Sequence, residues 1–160
     1  MPVQRLNHAV LYVRDVDRSV AFYTEALGFR VVMAIPGQAA FLQAEGSTND
    51  HDLGLFGIGE RAGDSTAGRS TVGLYHLAWE VPTIEDLAAA ADVLSGEGAL
   101  GGSSDHGVSK SLYGHDPDGN EFEIMWRVPR EAWGDYEEHG AVMALDLDAE
   151  VKRWGAGRAV

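Results

Sequence analysis

The chain contains no cysteine. That excludes disulfides, thiolate metal sites and thiol nucleophiles, so any bound metal must be held by nitrogen and oxygen ligands. Long apolar runs are missing too. None approaches the ~20 residues of a membrane helix. The opening Met1-Pro2-Val3-Gln4-Arg5-Leu6 lacks a basic stretch followed by a long apolar one, so neither a signal peptide nor a membrane partner is expected. Positive charge is scarce: 12 Lys and Arg stand against 25 Asp and Glu, a net charge of −13. Phosphate neutralisation needs a basic stripe, and the basic residues here are scattered, so nucleic acid is not an expected partner. The acidic balance favours solubility, and a cytoplasmic location is the expectation. An anionic small substrate stays open, because a pocket can carry its own positive charge in a metal.

What is present suits a globular protein. The 160 residues are 45% hydrophobic and 23% charged, enough for one domain or for two small modules sharing it. Residues 6–13, LNHAVLYV, read as a strand from their β-branched and aromatic content. Asp15 and Asp17 offer a helix N-cap region. Val20, Phe22, Tyr23, Ala26 and Leu27 make a helical stripe, and Gly28 is a natural stop. Extended pieces follow at about 29–35, 39–44 and 50–58. The same order then recurs. Residues 74–81, LYHLAWEV, are strand-like, Thr83 and Asp86 form a capping-box pair, and the helix runs to about Leu94 with Gly96 as its stop. Extended pieces fall near 99–104, 110–115 and 121–127.

The two segments share an offset: His8 + 68 = His76, Val13 + 68 = Val81 and Gly28 + 68 = Gly96. This predicts two βαβββ modules, at 4–60 and 72–127, longer than the repeats of solenoids. The Gly-, Ser- and Thr-rich stretch 57–71 reads as a linker. A tail at 128–160 carries Trp133, Tyr136 and an amphipathic helix over about 145–154. The whole is one α+β domain.

Three residues stand out for chemistry. A lone histidine on a strand is more often a packed or surface residue than a ligand. His8 and His76, however, occupy equivalent places in two equivalent strands, where a pseudo-twofold would bring both towards one cavity. The third is Glu123, in a strand after the turn Asp116-Pro117-Asp118-Gly119. Phe122 and Ile124 face one side there, and Glu121 and Glu123 the other. Two His and one carboxylate suit Fe(II), and also Mn, Co, Ni or Zn, with coordination positions left for substrate and O2.

LNHAVLYV, RSVAFYTEALGF, YHLAWEV and DPDGNEFEI together resemble the vicinal oxygen chelate superfamily, which includes glyoxalase I, methylmalonyl-CoA epimerase, bleomycin-resistance proteins and extradiol dioxygenases. The match covers 6–127. The resemblance implies paired βαβββ modules forming an open, barrel-like mixed sheet around a metal held by His8, His76 and Glu123, and a homodimer. The stretches 49–56, 105–113 and 128–133 look like the catechol 2,3-dioxygenase branch. Carried over, His51 would be the acid–base histidine, and His106 and Tyr113 would donate to oxygens of substrate or intermediates. Bland readings stand beside these: His51 as a solvated loop residue, His106 as a loop cap, Tyr113 as packing. Aligning the last strands by eye puts His51 opposite Glu121 and Leu53 opposite Glu123. Glyoxalase-type sites carry a fourth, carboxylate ligand at that first-module position. Leucine cannot ligate, so three ligands would remain; a slip of one residue would instead turn Asp52 inwards.

The expected function is therefore metal-dependent extradiol cleavage of a catechol-like small molecule with O2. The alternatives are a glyoxalase-like lyase or epimerase on the same fold, or a metal-free small-molecule or antibiotic-binding protein.

Overall fold

A computed structural model of the chain describes residues 1–67 and 70–156. Residues 68–69 of the expected linker and 157–160 of the expected tail lie outside the described residues. The chain forms two compact units, Met1–Thr66 with Asp116–Gly119, and Ala67–His115 with Asn120–Val160.

The first unit holds β1 (Ala9–Val13), α1 (Val16–Glu25), β2 (Arg30–Ile35), β3 (Ala39–Gln43) and β4 (Leu53–Gly57). The second holds β5 (Leu77–Val81), α2 (Ile84–Gly96), β6 (Leu100–Asp105), β7 (Ser109–His115), β8 (Glu121–Arg127) and α3 (Leu147–Trp154). Two 3-10 turns, Arg130–Ala132 and Gly134–Glu137, lie in the tail. Each unit is built on a four-stranded mixed sheet, ordered β1-β4-β3-β2 and β5-β8-β7-β6. The first and last strands of each are parallel and the other pairs antiparallel. Neither sheet closes into a barrel. This is the expected pair of βαβββ modules.

The offset of 68 holds through the first strand and the helix start, where Ala9 matches Leu77 and Val16 matches Ile84. Then it slips. α2 has 13 residues against 10 in α1, and the glycine with positive φ that stops it is Gly98 (φ 67), not Gly96, which is still helical. Gly28 (φ 69) keeps its expected place. From there β2 and β6 are related by 70, and both bulge near their start, between Val31 and Met33 and between Leu100 and Gly102.

Helix starts follow the local chemistry. Asp15 accepts from Arg18 N–H at 3.0 Å, Thr83 and Asp86 form the expected reciprocal capping box, and Asp146 caps α3 through Ala149 N–H at 3.0 Å. One face of each sheet is closed by its helix. In the first unit Val16 and Tyr23 of α1 are buried, as are Leu42, Leu53 and Leu55 of the sheet. In the second, Ile84, Leu87 and Leu94 of α2 are buried with Leu112, Phe122 and Ile124. Each such side chain contributes about 1.5–3 kcal/mol on burial. That fixes which side of each strand is core and leaves the opposite face for chemistry.

The turn at 116–119 is built as expected, with Gly119 at φ 83 and its N–H donating to Asp116 O at 2.9 Å. It belongs to the first unit. Arg14 N–H and Nη1 donate to the Asp118 carboxylate at 2.9 and 3.0 Å, and Tyr23 O–H donates to Asp116 Oδ2 at 3.1 Å. In the second unit Lys110 ties α3 to the sheet. Lys110, only 4% exposed, reaches Asp105 Oδ1 at 2.5 Å and Glu150 Oε2 of α3 at 3.6 Å.

Candidate metal centre

His8 and His76 each sit one residue before the first strand of their module, not within it as residues 6–13 and 74–81 suggest. The ladder starts only at Ala9, whose N–H donates to Asp52 O at 2.9 Å. The equivalence of the two histidines is preserved.

In the first unit the exposed His8 donates from Nδ1 to Asn7 Oδ1 at 2.7 Å. His51 stands beside it, ring centroids 4.5 Å apart, and donates from Nδ1 to Asp50 Oδ2 at 2.7 Å. That hydrogen bond is the main reason the Asp50 carboxyl lies below its usual range. In the neutral form, each ring thus carries its lone pair on Nε2. The edge of Phe41 packs on His51 at 5.1 Å.

In the second unit the parallel pairing of β5 with β8 brings His76 and Glu123 together, Nε2 to Oε2 at 3.1 Å. His76 Nδ1 and Glu121 Oε1 are both buried without a hydrogen-bond partner among the described residues. They lie 3.4 Å apart, an ion-pair separation and not a hydrogen bond. Tyr113 pairs across the sheet with Glu123, and its ring is 5.8 Å from that of His76. Its hydroxyl meets His106 Nε2 at 2.8 Å, while His106 Nδ1 meets the Ala141 carbonyl at 2.8 Å. Burial first, and then the charge of Glu123, raise the Tyr113 phenol above its usual value.

The expected site residues therefore fall into two sets. His8 and His51 meet in the first unit; His76, Glu123, His106 and Tyr113 meet in the second. Among the described residues no group of three or more His, Asp or Glu side chains is drawn together as a metal cage. The second unit's donor pair, His76 and Glu123, still suits a divalent metal. It is nitrogen and oxygen throughout, and a histidine ligating through Nε2 needs an outer acceptor for Nδ1–H, which is where Glu121 stands. Glu121, Asp50 and the Ala141 carbonyl are contributors the sequence reading gave no role. Adjacency to His51 and alternation with Glu123 were the available signals for the two acids. A backbone carbonyl leaves none.

The last-strand alignment needs correction. Leu53 lies beside Ala9, and Phe122 beside Leu77, so Leu53 corresponds to Phe122, Gly54 to Glu123 and Asp52 to Glu121. The first-module counterpart of Glu123 is a glycine, which has no side chain to ligate. Asp52 is buried, but as a loop anchor. Its carboxylate accepts from Ala44 N–H at 2.9 Å, and from Ser47 Oγ and Asn49 Nδ2 at 2.7 Å each.

Comparison with known proteins agrees with this fold. The family model for the Glyoxalase/Bleomycin resistance protein/Dioxygenase superfamily matches residues 5–124. The chain is 32% identical over 157 residues to a catechol-2,3-dioxygenase of Bacillus subtilis (strain 168), covering 96% of this chain and 53% of that protein. It is 34% identical over 122 residues to biphenyl-2,3-diol 1,2-dioxygenase 3 of Rhodococcus globerulus, covering 76% of this chain and 62% of that one. The chain thus spans little more than half the length of these relatives. A glyoxylase/bleomycin resistance protein/dioxygenase domain from Frankia sp. EAN1pec superposes with a TM-score of 0.67 at 23% identity, over 81% of this chain and 96% of that one; at that identity it speaks to the fold. Two βαβββ modules and a family match over most of the chain lead to one conclusion: this protein belongs to the glyoxalase/bleomycin resistance protein/dioxygenase superfamily.

Proposed function

We propose that the protein is a metal-dependent extradiol dioxygenase, opening the ring of a catechol-like small molecule with O2. In this reading His8, His76 and Glu123 would hold the metal. The observation that carries the reading is the His76–Glu123 pair at 3.1 Å, flanked by the hydrogen-bonded His106 and Tyr113. The ring-cleaving names of the relatives support the same reading.

When bound, a divalent metal, Fe(II) in this reading, would supply an anchor for two adjacent hydroxyl oxygens and a redox centre for O2. The chain's own residues would handle protons and position. His51 donates Nδ1–H to Asp50, so its Nε2 is the base available to take a proton from a catechol hydroxyl near neutral pH. Phe41 packs edge-on against that ring and limits its rotation. Tyr113 and His106 form a polar pair beside Glu123 for an oxygen of the substrate. With glycine at position 54 in place of a carboxylate, the reading has three protein ligands, a set that suits O2 activation better than a four-ligand lyase site.

The reading is tested by loading the full chain with Fe(II) without oxygen, then adding catechols and air. Formation of a yellow ring-opened product, lost in His76→Ala and Glu123→Ala together with bound metal, is the expected outcome. Stoichiometric metal without any ring opening would instead assign the site to lyase or epimerase chemistry.

A further inference from the structure

The tail after β8 returns to the site by three independent contacts, all within the second unit. Met143 forms an isolated two-way bridge with Asp105, both N–H···O contacts at 2.9 Å. The Tyr136 ring lies so close over Gly107 that a Cβ there would stand 2.4 Å from Tyr136 Cγ. Between these contacts the Ala141 carbonyl meets His106 Nδ1 at 2.8 Å. Residues 136–143 thus form a strap over residues 105–107.

A carbonyl oxygen only accepts, so Nδ1 carries a proton. In the neutral ring Nε2 then has the lone pair, and the Tyr113 O–H donates to it at 2.8 Å. We propose that the strap is part of the site: the Ala141 carbonyl holds His106 in its Nδ1–H form, and His106 in turn draws the proton of the Tyr113 hydroxyl to itself. Tyr113 oxygen then offers only lone pairs to its other neighbours. The substrate group it holds must bring its own proton, as a catechol hydroxyl does; this last step rests on the ring-cleavage reading, whereas the tautomer does not. Met143, through its bridge, and Tyr136, through its ring, are positioning residues that act on His106.

Ring-nitrogen NMR of the histidine-labelled full chain at neutral pH tests the proposal. The wild type is expected to show His106 as a single Nδ1–H tautomer, and Tyr113→Phe to retain it. Met143→Pro removes the N–H that donates to Asp105, and Tyr136→Ala removes the ring over Gly107 while altering a half-exposed residue that is safer for folding. Conversion of His106 to a tautomer mixture in either variant supports the strap. An Nε2–H ring in the wild type, or an unchanged Nδ1–H ring in both strap variants, overturns it. On catechol, the strap variant that loses the tautomer is expected to lose about tenfold in kcat with KM within about twofold, as a loosened positioning contact does. A wild type that opens no catechol ring would remove the ring-cleavage reading and leave the strap to be judged by the tautomer alone.

Discussion

Tyr23 shows how one side chain couples packing, charge and pH. It is 2% exposed and donates its O–H to the Asp116 carboxylate in the 116–119 turn. Burial, and then the charge of Asp116, push its phenol well above the usual 10.0. The sign follows from linkage. Below pH ~10 the phenol is protonated in both folded and unfolded chains, and its contribution is fully present. Above that, the unfolded chain loses the proton first, and stability falls as pH rises. Tyr23→Phe is therefore expected to cost about 1.5–3 kcal/mol at pH 7, the loss of a hydrogen bond to a charged group, and to remove part of the downward slope above pH ~10. Urea unfolding at pH 7 and at pH 10.5–11, about half to one unit above the free phenol, reads both effects. At this scale the repeat marks His8 and His76, and the strand alternation marks Glu123, as candidates. The partners of these rings carry no such mark. Asp50 and Glu121 look like ordinary surface acids in sequence, and only the fold shows that one holds His51 and the other faces His76.

Among the elements, the modules, both helix starts and the turn before β8 could be read directly, since caps and turn residues act within a few positions of themselves. Two features could not. The extra length of α2 moves its stop from Gly96 to Gly98, because nothing in an alanine-rich helix forces it to end at the first glycine. The register of β4 against β8 is set by parallel pairing to β1 and β5, a contact distant in sequence. The sign that would have shown it is the match of buried Leu53 and Leu55 with buried Phe122 and Ile124. The corrected register makes Asp52 an anchor of the loop before β4. Asp52→Asn is expected to destabilise the chain by about 1–2 kcal/mol, by weakening charge-assisted hydrogen bonds, while the metal stoichiometry stays unchanged; a lost metal would make Asp52 a ligand after all. In the second unit, Lys110→Met leaves the Asp105 and Glu150 carboxylates without their shared cation. Breaking a buried pair from one side costs about 3 kcal/mol or more, so the melting temperature should fall and proteolysis should cut near α3 first.

At the scale of the molecule, a net charge of −13 sets a background that repels anions. The metal and the few local donors would have to overcome it for a charged substrate. For a catechol bearing a carboxylate, kcat/KM is expected to rise with salt between low and physiological ionic strength, because screening weakens the repulsion. An uncharged catechol should show little change, and a fall with salt for the carboxylated one would point to a local basic patch beside the site. The family is secure at this scale, while the reaction rests on the site. The measurement that tests it most directly is the fate of isotopically labelled O2 during turnover of a catechol by the Fe(II)-loaded chain. Both labelled atoms in the ring-opened product, and none formed by Glu123→Ala, is the predicted result. Metal-dependent turnover with no label in the product would contradict the account and assign this site to chemistry that uses no oxygen.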